Sequence, residues 1–275
     1  MILSLWLAFY LGERGYNRDR KDKIEEHKQL VKSEVELLKN SLKQLLIAVT
    51  EQIAILKAYN EEQNFILGFR ADVQVDFLKF IDIKNVYEYY GIKDQNKIDS
   101  INELLSLLFS LHDFRHSLRD SLRTALEKHT IHEQGFYLYR KLMYKILHEI
   151  ANKRAIEIKP EVGGFKINFG GNDFAEQFFH LNQAVLANPD LMTDKNEVDR
   201  PKLIELFIMP VIELSSRFIP LDEDAIEVSD VANEVNSSWI NMKAVMSAHY
   251  SEIDTHIATL EKVEEEIQKF LELKK

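Results

Sequence analysis

Arg123 and His129 are the two side chains whose types and spacing come nearest to a reaction centre. A guanidinium can stabilise charge developing on a phosphate oxygen, and an imidazole can move a proton near neutral pH. The plainer reading of the pair is a solvated arginine and a histidine near a helix C-terminus, where positive charge is favoured. His112 and His116 are four apart, with Asp113 between them. On one helix that spacing puts both imidazoles on one face, where they can ligate zinc. The metalloprotease pattern His-Glu-x-x-His is absent, because Asp113, Phe114 and Arg115 follow His112, and Arg115 disfavours a cation. Surface or partner-contacting histidines are the simpler expectation.

The glycine pairs Gly163-Gly164 and Gly170-Gly171 match neither a phosphate-binding loop nor a dinucleotide fingerprint, and they read as turns. No nucleophile elbow occurs. The sequence therefore predicts no cofactor and no resident metal, and no catalytic centre is evident in it. The aromatic group Phe77, Phe80, Tyr87, Tyr89 and Tyr90 reads as core, with a small-molecule pocket as the alternative.

Composition narrows the classes further. The chain has 275 residues, 35 Lys+Arg against 45 Asp+Glu and a formal net charge of −10. That balance argues against wholesale nucleic-acid coating, and no nucleic-acid partner is expected. With no Cys, a disulfide framework, thiol catalysis and cysteine-ligated metal are excluded. Hydrophobic residues make up 45%, enough for a core. Only 9 Gly and 5 Pro are present, and all the prolines lie between Pro160 and Pro220. Tyr16 to Leu67, Ile92 to Gln134 and Leu221 to Lys275 contain neither, so very long helices are permitted.

Periodicity fills those windows. Val31, Val35, Leu38, Leu42, Leu45, Val49, Gln52, Leu56 and Tyr59 alternate spacings of four and three, an a/d heptad seam with Gln52 as its polar interruption, and Ile24 extends it. A second seam runs through Val228, Val231, Val235, Trp239, Met242, Met246, His249, Ile253, Ile257, Leu260, Val263, Ile267 and Phe270. His249, with His256 seven further on, reads as a polar seam position that sets register. The two helices, each about 65–70 Å long at 1.5 Å per residue, are expected to pair antiparallel as a stalk. That orientation would set the basic start (Arg14, Arg18, Arg20, Lys21, Lys23) beside the acidic end (Glu261, Glu264, Glu265, Glu266, Glu272).

Between the seams a helical head is expected. Residues 72–90 read as one or two short helices capped by Gly91, and Lys97 to about His129 as one amphipathic helix. His132 to Ala155 reads as another helix. Alternation around Pro160–Gly164 predicts a small β-hairpin. Asn172 or Asp173 should cap a helix to about Leu186, and Pro201 should open one that Pro210 kinks and Pro220 ends. The fold class is thus all-α, a long antiparallel helical stalk with an inserted helical head carrying at most one small hairpin. The divisions are 1–21 (apolar anchor and basic flank), 22–68 (first stalk helix), 69–226 (head) and 227–275 (returning helix).

At the N-terminus Ile2 to Gly12 is apolar, with Leu5, Trp6, Leu7, Phe9 and Tyr10, and then meets Arg14, Arg18 and Arg20. A secretory signal has its positive charge before the apolar run, and here the order is reversed. The arrangement predicts a membrane anchor with a cytoplasmic basic flank. The apolar run rises only about 16 Å at 1.5 Å per residue, against a hydrocarbon core of about 30 Å. Three readings follow: a shortened anchor, a half-inserted interfacial segment, or an apolar helix start docked on protein.

The spacing of Arg123 and His129 is similar to the Arg…His motif of HEPN ribonucleases, in which the pair converges on a scissile phosphate, usually across a dimer. The order of apolar run, basic flank and heptad helix over about the first 60 residues resembles bacterial single-span proteins, some of them near phage-defence genes. That likeness is architectural and carries over no site residues. The expected function is a membrane-tethered helical protein that acts through protein contacts as sensor, scaffold or effector. Its expected partners are the inner-membrane bilayer and a protein or second copy bound through the stalk, with the body in the cytoplasm. A nuclease and a ligand-binding head are the alternatives.

Overall fold

Helix α1 (Ile2–Glu62) runs 61 residues without a break, as the absence of Pro and the single Gly15 after residue 12 allow. This computed structural model describes residues 2–63, 65–91, 94–161, 164–195 and 197–273. The chain divides into two compact units, one of Met1–Leu122 with Tyr250–Lys275 and one of Arg123–His249. The bounds expected at 68/69 and 226/227 fall inside these units.

In the first unit the α1 seam is buried from Val31 to Tyr59, including Leu38, Leu45 and Leu56. After α1 come a 3₁₀ turn (Asp76–Phe80), α2 (Ile83–Tyr90), α3 (Gln95–Ser110) and the start of α4 (Phe114–Phe136). The last part of α9 (Glu223–Glu272) completes the unit. It runs antiparallel to α1. Thr50 donates to Glu264 at 2.5 Å, Lys57 pairs with Glu261 at 2.7 Å and Asn60 donates to Asp254 at 2.5 Å, so α9 numbers fall as α1 numbers rise. Tyr59 and Tyr250 meet at 5.7 Å between ring centroids. Ile253, Leu260, Val263, Ile267 and Phe270 are buried on α9. Burying each such side chain stabilises by about 1.5–3 kcal/mol, so this stripe, rather than the exposed ion pairs beside it, holds the stalk.

That register corrects the charge pairing expected from the sequence. Extending it places Glu272 level with about residue 42 of α1 at the shared rise per residue, well short of Arg14–Lys23. The acidic end is instead answered by Lys57 and by Lys269, which pairs with Glu265 at 2.8 Å and Glu266 at 2.5 Å. Ile24 is 47% exposed, so the buried seam begins at Val31. Residues 13–30 of α1 are exposed throughout. Their helix draws support from opposite charges spaced four apart, Arg18/Asp22, Asp19/Lys23 and Lys21/Glu25, and from His27, whose Nε2 lies 3.1 Å from Glu88 on α2.

The helix expected from Lys97 to His129 is two helices. α3 ends at Ser110 and α4 begins at Phe114, with a turn in which Phe114 N–H donates to Leu111. Asp82 and Asp94 cap α2 and α3 by accepting from Lys84 and Lys97 backbone N–H groups. Gly91 ends α2 at φ 102°, a conformation L-residues rarely adopt.

The second unit packs the rest. α4 ends at Phe136, one residue after Gly135, and the chain passes into a π-helical turn (Lys141–Ile146) and then α5 (Leu147–Arg154). Strands β1 (Glu157–Glu161) and β2 (Gly164–Asn168) form the expected antiparallel hairpin, with Ile158 opposite Ile167. α6 (Asp173–Leu186) is capped by Asn172, which accepts from Ala175 N–H at 2.9 Å. A 3₁₀ turn (Pro189–Leu191) leads to α7 (Arg200–Leu203), a second π-helical turn (Ile204–Ile208) and α8 (Met209–Ser216). The second π-turn stands where Pro210 was expected to kink the helix. Pro210 has no N–H for the Leu206 carbonyl, and the wider turn relieves the clash. The core comprises Phe136, Phe174, Phe178, Phe207, Val228 and Val235 with their neighbours. Arg154 ties α5 to the start of α9 through Asp222 at 2.6 Å and through Asp224.

Candidate functional site

None of the residues singled out for chemistry assembles into a reaction centre within the chain. Arg123 is exposed on α4 and lies 3.9 Å from Glu127. His129 is half-buried on the same helix. Burial holds its imidazole below the usual range, opposed by the nearby Glu133 carboxylate. Residues six apart on a helix stand about 120° out of line, so α4 does not aim Arg123 and His129 into one cleft. The zinc geometry fails because the α3–α4 break separates its parts. His112 lies in the turn, near Asp76, and His116 on α4 faces Asp120 at 3.5 Å. Among the described residues no group of three or more His, Asp or Glu side chains could hold a metal ion.

The tyrosine cluster does not line one cavity wall either. Tyr90 is buried edge-on against Phe270 at 5.4 Å, Phe80 is 76% exposed and Tyr87 donates to Asn102 at 2.5 Å.

The stalk residues divide between the units. In the first, Val31, Leu38, Leu45, Leu56, Leu260 and Ile267 are buried seam positions. Gln52 is also buried. It donates to the Gly68 carbonyl at 3.3 Å and accepts from the Arg70 N–H at 2.7 Å, so the polar interruption pins the segment leaving α1. Trp239, Met246 and His249 belong instead to the second unit. There Trp239 packs on Phe136 at 5.8 Å, Met246 is half-buried and His249 is buried. The heptad pattern continues through α9 without a change of period at the unit boundary, so the sequence gives no sign of the switch.

The anchor side chains Leu5, Trp6, Leu7 and Phe9 lie outside the described residues. Tyr10, Arg14, Arg18 and Arg20 are exposed on α1. Among the described residues no helix is long and apolar enough to cross a membrane.

A different place in the second unit has the form of a binding site. Between the first π-turn, the end of α6 and the residues Asn188, Leu191, Met192 and Val198 lies a groove of about 400 Å³. Its buried lining includes Met143, Val185, Leu191 and Leu203 beside the half-shielded Val198, and Leu186, Met192 and Tyr144 are among its exposed lining residues. Arg140 and Tyr139 stand at its polar side. The Arg140 guanidinium lies over the Tyr137 ring at 4.9 Å and the Tyr139 ring at 5.7 Å, and its Nε donates to the Tyr139 hydroxyl at 3.3 Å. Tyr137 is shared with a second guanidinium, that of Arg200, at 5.7 Å. Arg200 is fixed by Glu133 at 2.5 Å and the Tyr137 hydroxyl at 3.3 Å. The groove offers contact area, a cation and hydroxyls. These are the features of a small-ligand site. Sequence reasoning passed over it. Its one signal was the run Phe136-Tyr137-Leu138-Tyr139-Arg140, whose aromatic and basic residues fit core and surface equally well. No protein-family model, no curated protein and no solved structure matches this chain.

Proposed function

We propose that this protein is a membrane-tethered helical scaffold or sensor that acts through protein–protein contacts and self-association rather than by catalysis. In this reading its N-terminus engages the inner membrane and its body lies in the cytoplasm. The observation that carries the reading is the exposed stretch of α1. The helix is unbroken from Ile2, its side chains from 13 to 30 are exposed, and the basic residues Arg14, Arg18 and Arg20 directly follow the apolar run. A short apolar segment inserted to headgroup depth holds a membrane weakly, and a second attraction is needed. Basic residues near an anionic surface supply about 1 kcal/mol each. The apolar residues Leu30, Leu37 and Ile47, exposed on the same helix, offer a partner contact surface.

The test is flotation of the whole chain with phosphatidylglycerol-containing vesicles. The wild type should float, and the triple variant Arg14→Glu/Arg18→Glu/Arg20→Glu should remain largely at the bottom. Raising salt should weaken flotation, because charge on an exposed helix is screened. A wild type that stays at the bottom at low salt removes the tether.

A further inference from the structure

The groove of the second unit carries an inference that does not depend on the tether. We propose that it binds a small amphiphile, an apolar chain ending in a single carboxylate, with the carboxylate on Arg140 and the chain over Val185, Leu191 and Leu203.

Three observations converge on this occupant. The first is charge. Four arginines of this fold sit on carboxylates, Arg70 on Asp72, Arg154 on Asp222, Arg200 on Glu133 and Arg217 on Glu213, while Arg115 donates to the Ala71 carbonyl and Arg119 lies over the Phe69 ring. Among the described residues Arg140 has no carboxylate partner, in a chain with 45 Asp+Glu. Two tyrosine rings and one hydroxyl fix its plane, which leaves the guanidinium fork for an acceptor from outside. The second is shape. A groove of about 400 Å³ lies within the range of small-ligand sites. Its buried Leu191 and Leu203 suit one chain rather than an extended peptide. The third is local structure. The π-turn Lys141–Ile146 places Met143 and Tyr144 on the groove, and no proline accounts for this turn as Pro210 does for the other. Single π-turns inside helices recur at binding sites. Tyr144 lines the same groove as Arg140, and its hydroxyl is assigned here as a second donor to the carboxylate.

The test is calorimetric titration of the whole chain with decanoate and, separately, with decanol. Decanoate should bind at least ten-fold tighter than decanol, as expected for a charge-assisted pair at the edge of an apolar site. Arg140→Gln should lose about ten-fold in decanoate affinity while decanol is unaffected, and Arg140→Lys should keep part of the preference. Leu186→Trp, which fills the exposed side of the groove, should weaken both ligands. Circular dichroism establishes that each variant is folded. Failure of the folded wild type to bind decanoate overturns the proposal, as does equal affinity for decanol or an Arg140→Gln variant that binds decanoate unchanged. A short peptide with a C-terminal leucine carboxylate that binds where decanoate does not also overturns it, in favour of a peptide site.

Discussion

Gln52 shows how one polar residue in an apolar seam can be structural. A buried amide costs free energy unless its donors and acceptors are satisfied, and this one is answered by the Gly68 carbonyl and the Arg70 N–H. The sequence marked Gln52 as a break in the heptad and stopped there, because its partners lie in an irregular segment with no periodic signal. Gln52→Ala should leave the Arg70 N–H without its partner and open a void beside the stalk. The expected cost is about 1–3 kcal/mol, read as a lower urea midpoint with an unchanged slope. A variant as stable as the wild type would mean that the segment 68–70 is held by other contacts. Arg140 and His112 teach the same lesson from opposite sides. The alternative reading of His112 as a ligand assumes that it shares a continuous helix with His116, and the turn before Phe114 interrupts that helix. Arg140 looked ordinary because, although its rings Tyr137 and Tyr139 are sequence neighbours, its groove is completed by residues as distant as Leu203.

At the level of elements, long unbroken helices were legible and their ends less so. The breaker-free windows gave α1 and α9, the alternating segment gave the hairpin, and Asn172 and Asp199 cap α6 and α7 as their side chains allow. The α3–α4 turn was hidden because Leu111 is buried like the helix residues before it, and no glycine or proline marks the bend. Gly135 falls within the helix expected from His132 onward, yet it sets a close approach in the second unit. A Cβ at Gly135 would stand 2.2 Å from the Ser238 hydroxyl and 3.2 Å from its Cβ. Gly135→Ala improves helix propensity by about 1 kcal/mol in isolation, but here it should destabilise, because α4 and α9 must part or Ser238 must turn away. The double variant Gly135→Ala/Ser238→Gly should regain most of the loss in a thermal melt. A single variant more stable than the wild type would show that the approach is soft.

For the molecule as a whole, the all-α class followed from scarce Gly and Pro, whereas its division into two units did not. α4 and α9 each pass from one unit into the other, so no composition shift marks the boundaries. The acid response should carry the mark of both units. In the first, His256 lies edge-on to Phe114 at 5.5 Å with its Nε2 buried and without a partner among the described residues. Burial holds this imidazole below the usual range, against the pull of Glu252. The unfolded chain therefore takes up this proton at higher pH than the folded one, and stability is lost as pH falls below the ordinary imidazole value of about 6.5. In the second, the hydrogen bond from Arg154 holds the Asp222 carboxyl below the usual range despite burial. Its contribution is complete above about pH 4 and is lost as pH falls further. Urea midpoints measured from pH 8 to 5 should decline in the wild type and decline less in His256→Gln. Identical slopes for the two proteins would exclude His256 as the source.

The staggered ends of α1 and α9 have a mechanical consequence. From His27, whose imidazole meets Glu88 on α2, the helix continues to Tyr10, about 25 Å further at 1.5 Å per residue. Whatever grips the first dozen residues is therefore held at a stand-off from the packed stalk. A continuous helix of that reach transmits tension along its axis far better than it resists sideways load.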